Sequence, residues 1–99
     1  MKKSELLKKA KELICSDTET YICRAIENAS RKNNVYELFN PLYNWIHQDL
    51  LTTRYNDYGH WLSTEHPEYK DLRYQGRGYK TGRLQWLDWM IEYWKEKGE

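Results

Sequence analysis

The stretch Arg83-Leu-Gln-Trp-Leu-Asp-Trp-Met-Ile-Glu-Tyr-Trp94 decides the fold, because its apolar residues recur every three to four positions and include three of the chain's five tryptophans. At about 100° per residue, Leu84, Leu87, Met90, Ile91 and Trp94 form one helical stripe, which Trp86, Trp89 and Tyr93 extend around the cylinder. The combined arc is on the order of 220°, about twice what a surface helix needs to bury. Gln85, Asp88, Glu92, Lys95 and Glu96 mark the polar side. Such a helix either lies at the centre of its domain or turns its aromatic flank toward a partner subunit or a ligand.

The segments before it keep the same period. Leu6, Leu7, Ala10, Leu13 and Ile14 predict a helix over residues 4–14, with Ser4 as its cap. Ser16-Asp-Thr-Glu19 has the form of a capping box, so a second helix should follow to about Ser30, with Tyr21, Ile22, Ala25, Ile26 and Ala29 on one face. Arg31-Lys-Asn-Asn34 ends it. Val35, Leu38, Phe39, Leu42, Ile46 and Leu50 then stay in phase to about Leu51, across Pro41. Proline within a helix removes a hydrogen bond and clashes with the preceding turn. The element is therefore either bent near Phe39, or split into a turn and a new helix with Pro41 in its first turn. The unbroken phase favours the bent, continuous form.

A polar loop over residues 52–56 leads to a short helix from Asp57 to about Glu65, anchored by Trp61 and Leu62 and closed by Pro67. Residues 66–82 lack apolar periodicity, and the last helix runs from about Lys80 to Lys97, with Gly98 ending it. No strand-like alternation and no internal repeat occurs. The expected architecture is all-α: a compact small bundle of four to five helices in a single domain over residues 1–99, its aromatic-rich last helix central.

Composition narrows the functional classes. Sixteen basic and fifteen acidic residues nearly cancel, which argues against nonspecific nucleic-acid binding through the overall field. The charged N-terminal residues run into an amphipathic helix, so neither a secretion signal nor a membrane span is expected. Cys15 and Cys23 are accordingly read as reduced thiols of a cytosolic protein. Nine tyrosines and five tryptophans favour recognition surfaces as well as core.

Chemistry concentrates in Arg73-Tyr-Gln-Gly-Arg-Gly-Tyr-Lys-Thr-Gly-Arg83. Arg73, Arg77 and Arg83 offer forked donors, Lys80 a point charge, and Tyr79 a planar face for a base. Gly76 and Gly78 let backbone amides approach a ligand, and the following helix start attracts phosphate. With Trp86 one turn further on, these residues suit a phosphate-bearing nucleotide, although no phosphate-loop signature is present. The competing reading is a solvated loop whose arginines pair with Glu68, Asp71 or Asp88. His47, His60 and His66 have no metal-ligand spacing, so no metal site is expected. A Cys/His nucleophile requires Cys15 or Cys23 to meet His47 or His60 through the fold. No catalytic residues and no cofactor are expected.

Tyr21-Ile-Cys-Arg-Ala-Ile26, Leu42 to Leu50, Trp61-Leu62 and above all the Arg83-Leu-Gln-Trp-Leu-Asp-Trp89 block resemble a group of small phage-encoded helical proteins of unassigned function. The resemblance implies a viral or prophage origin and a cytoplasmic role inside a bacterial host. It implies no catalytic residues. The expected protein is thus a non-enzymatic, anti-defence ligand binder that sequesters a nucleotide-type signal as a homo-oligomer, with Trp86, Trp89 and Tyr93 at the subunit interface. Docking of the same patch on a host or phage protein is the alternative, and RNA or DNA binding a further one.

Overall fold

The computed structural model describes residues 1–50 and 80–99, residues 48–50 by their backbone alone. The expected helix from Asp57 to Glu65 and the loop as far as Tyr79 lie outside the described residues. The described elements are α1 (Lys3–Cys15), α2 (Ile22–Lys32), a 3₁₀ turn (Tyr36–Leu38), α3 (Phe39–Asn44), a π-helical segment (Trp45–Leu50) and α4 (Lys80–Glu96). The protein is an all-α bundle, and its last helix sits in an aromatic cluster as the periodicity predicts.

Helix α1 packs along both α2 and α4. Its buried face is Leu6, Leu7, Ala10 and Ile14, and α2 contributes Ile22, Ala25, Ile26 and Ala29. The alanines let α2 approach closely, while each buried leucine or isoleucine contributes about 1.5–3 kcal/mol relative to its exposed state. Helix α4 runs antiparallel to α1. Lysine–carboxylate contacts mark the pairing at both ends and the middle: Lys3 Nζ to Glu99 Oε1 at 3.0 Å, Lys11 Nζ to Asp88 Oδ1 at 2.6 Å, and Lys80 Nζ to Asp17 Oδ1 at 3.1 Å. Being partly solvated, each stabilises by no more than about 1 kcal/mol, so they fix register more than they hold the bundle.

Three helices end in the same hydrogen-bond pattern. After α1, Thr18 N–H donates to Leu13 O and Asp17 N–H to Ile14 O; after α2, Val35 N–H donates to Ser30 O and Asn34 N–H to Arg31 O; after α4, Glu99 N–H donates to Trp94 O and Gly98 N–H to Lys95 O. This is the Schellman closure, which needs a left-handed residue just past the helix. Asp17, Asn34 and Gly98 take that place with φ of 60°, 56° and 75°. Asparagine and glycine suit it, whereas Asp17 is costlier.

Helix starts differ from expectation. Ser4 does not cap α1: it is buried in the first turn, and its N–H donates to Glu99 O at 2.8 Å. Ser16-Asp-Thr-Glu19 does not form a capping box, because Ser16 closes α1 instead, its hydroxyl contacting Leu13 O and Thr18 Oγ1. Glu19 accepts a hydrogen bond from Asn28 Nδ2, and α2 begins only at Ile22. Tyr21 therefore sits in extended backbone ahead of the helix, out of phase with its apolar face, and is 67% exposed.

Pro41 lies in the first turn of α3, where its missing N–H costs least, and the 3₁₀ turn leads into that helix without a break. The arrangement is thus close to the split alternative, a short turn followed by a new helix with Pro41 in its first turn, and not the bent continuous helix that the unbroken phase favoured. Leu42 and Ile46 are buried as predicted, and Trp45, three residues after Leu42, joins them.

Candidate functional site

The aromatics of α4 are interior. Trp86, Trp89 and Trp94 are all buried, and Tyr93 is half-buried against them. Trp45 reaches across from the π segment and lies parallel to Trp89, with ring centroids 6.1 Å apart and planes 4° apart. It also stacks on Tyr93 at 5.0 Å and meets Trp94 edge-on at 5.1 Å. Offset and edge-to-face pairs of this kind add about 0.5–1.5 kcal/mol each beyond the area they bury. Lys3 and Lys97 close the rim, their ammonium groups 4.2 Å from the Trp94 ring centroid and 4.8 Å from that of Tyr93. The arc that looked surplus in the sequence is consumed by α1 on one side and by Trp45 on the other.

Of the residues expected to bind a ligand, Lys80, Arg83 and Trp86 are among the described residues. Arg73, Arg77 and Tyr79 lie outside the described residues. Lys80 spans back to α1, its ammonium donating to Cys15 O at 3.2 Å and to Asp17 Oδ1 at 3.1 Å, so it satisfies the helix's carbonyl end. Arg83 is buried in the first turn of α4, and Trp86 is part of the core. Asp88, expected as a partner for the loop's arginines, is engaged by Lys11.

The exposed aromatic surface lies elsewhere, between α2 and α3. Tyr36, Phe39, Tyr43 and His47 follow one another at three- and four-residue steps, so a helical backbone places them in one row. Successive ring centroids are 5.7, 5.7 and 4.3 Å apart. Tyr36 and Tyr43 are 40% and 41% exposed. Arg31 of α2 caps one end of the row, its guanidinium carbon 4.3 Å from the Tyr36 ring centroid. At the other end His47 Nε2 lies 3.6 Å from Cys23 Sγ. The encounter of a cysteine with His47, which sequence spacing left to the fold, is therefore made by Cys23.

The strip is amphipathic in composition. Aromatic faces run along its middle, Arg31 and Glu27 form an ion pair at 3.7 Å at its upper end, and Glu37 is exposed beside Tyr36. The seam between α1 and α4 offers a contrasting groove, whose lining residues Lys8, Lys11 and Lys95 face Glu12, Asp88 and Glu92 in equal number. Ile91 also lines it, and the charges around it balance, so the groove carries no net charge to select a ligand by sign. The row's spacing was present in the sequence, and so was Tyr43 four residues before His47. What the spacing lacked was the side on which neighbours would cover it.

Among the described residues no group of three or more histidines, cysteines and carboxylates is arranged to hold a metal ion, and no helix is long and apolar enough to cross a membrane. No protein-family model, curated protein or solved structure matches this chain.

Proposed function

We propose that this chain is a non-enzymatic binding protein whose working form is a homo-oligomer joined through the strip between α2 and α3. The observation that carries the reading is the exposed aromatic row Tyr36, Phe39 and Tyr43, the other aromatic cluster among the described residues being interior. Tyrosine supplies large contact area at low entropic cost and is enriched in interfaces. A second copy is the occupant that suits the strip. It carries both signs, Arg31 beside Glu27 and Glu37, so a two-fold pairing can set acid against base. A net charge of +1 adds almost no self-repulsion.

The cargo in this reading is a phosphate-bearing, nucleotide-type ligand, with Arg73, Arg77 and Tyr79 of the expected set as its contacts. The phage resemblance implies a bacterial host, and sequestration of such a signal there is carried over as an analogy with other small phage proteins. Two measurements test the proposal. Light scattering on the purified chain should give a mass that is a multiple of 12.2 kDa. A monomer at tens of micromolar would overturn the oligomer and leave the strip to a different protein. A thermal-shift panel of cyclic dinucleotides and ADP-ribose derivatives should raise the melting temperature by mass action, and Arg77→Ala should remove the rise. A flat panel would remove the cargo.

A further inference from the structure

We infer that Cys23 is an activated thiol, a modification site for small-molecule disulfides, with His47 as the base that takes its proton. The inference rests on the placement of three groups. Cys23 is the second residue of α2, where unsatisfied amides and the helix's partial positive charge favour a thiolate. His47 Nε2 is 3.6 Å from its sulfur, within reach for a proton to pass from thiol to imidazole. Tyr43 lies against the imidazole, ring centroids 4.3 Å apart and tilted by 40°. A nucleophile, a base and an aromatic neighbour of the base are thus supplied by α2, the π segment and α3.

The reaction is thiol–disulfide exchange. The Cys23 thiolate attacks one sulfur of the disulfide, a Cys23–S–S–R bond forms as the original S–S bond breaks, and the departing thiolate takes up the proton held on His47. The small molecule is the oxidant, and one of its thiols is released. Cys23 is half-buried and His47 exposed, so a small neutral disulfide is favoured over a bulky one.

Cys15 supplies the comparison within the same chain. It is exposed, and it is the last residue of α1, at the opposite pole of its helix from the place Cys23 holds in α2. Exposure alone would make Cys15 the faster thiol; activation reverses that order. The test uses the full chain as two single-thiol variants, Cys15→Ser and Cys23→Ser, each treated with 2-hydroxyethyl disulfide near neutral pH, with mixed disulfide followed by intact mass. The Cys15→Ser chain should react about tenfold faster or more than the Cys23→Ser chain, and faster folded than in urea. Adding His47→Gln should bring its rate down to the urea value, with the melting temperature confirming that the exposed substitution leaves the fold intact. A folded rate for Cys23 at or below its rate in urea, or one indifferent to His47→Gln, would overturn the inference.

Discussion

Two aromatic clusters, one rich in tryptophan and one in tyrosine, meet opposite fates among the described residues. On α4, Trp86, Trp89 and Trp94 are buried, with Trp45 against Trp89 and Trp94, and even the flank that exceeds an ordinary apolar stripe is interior. On the 3₁₀ turn and α3, Tyr36 and Tyr43 keep about two fifths of their surface in solvent, though they too touch their aromatic neighbours. The difference teaches that aromatic content does not locate a binding surface; the number of helices available to cover each face does. Helix α4 has neighbours on two sides. Among the described residues, Arg31 and Cys23 of α2 stand at the ends of the row on α3's outer face.

The contrast can be broken most forcefully from the interior side. Trp89→Ala removes the ring that Trp45, Trp86 and Tyr93 all contact, and should destabilise the protein by about 3–5 kcal/mol in urea titration, a large fraction of the stability of a domain of this size. A cost below about 1 kcal/mol would show that the α4 cluster is not core. Next in size is the closure that ends α4. Gly98→Ala places a side chain at φ of 75°, and since nothing lies within 4 Å of the added carbon, the cost of about 1 kcal/mol is backbone strain alone. Asn34→Gly, at the equivalent position after α2, should instead stabilise by a few tenths of a kcal/mol. Thermal melts of the pair should therefore move in opposite directions.

Smaller still is the seam that sets how α4 lies on α1. A double-mutant cycle on Lys11→Met and Asp88→Asn should give a coupling of about 0.5–1 kcal/mol that weakens with added salt, because both side chains are only partly buried. On the exposed side, Tyr43→Ala should change stability by no more than about 0.5 kcal/mol, since its removal uncovers little core. A loss of several kcal/mol there would erase the distinction between the two clusters.

Much of the bundle was legible in the sequence. The stripes of α1, α2 and α4 follow from spacing, and Asn34 and Gly98 announced where helices end. The misreadings share a cause. Ser16 could serve the end of one helix or the start of the next, and the left-handed turn at Asp17 settled it for the end. With α2 beginning at Ile22, Tyr21 lost the helical phase that its position implied. Trp45 stands at the i+3 position from Leu42, so the spacing contained it, but its contact with Trp89 joins residues far apart in the chain. The candidate site was less legible for the same reason. Lys80 reads as an anion ligand until the carbonyl end of α1 is found beside it, and Cys23 and His47 become a pair only when α2 and α3 pack.

The central claim is that the exposed row, and not the buried cluster, joins subunits. Sedimentation velocity of the wild type and of Tyr36→Glu/Tyr43→Glu, over a concentration range reaching tens of micromolar, tests it directly. The account predicts an oligomeric wild type and a monomeric double variant with an unchanged helical circular-dichroism spectrum. A monomeric wild type, or a double variant that associates as strongly as the parent, would contradict it.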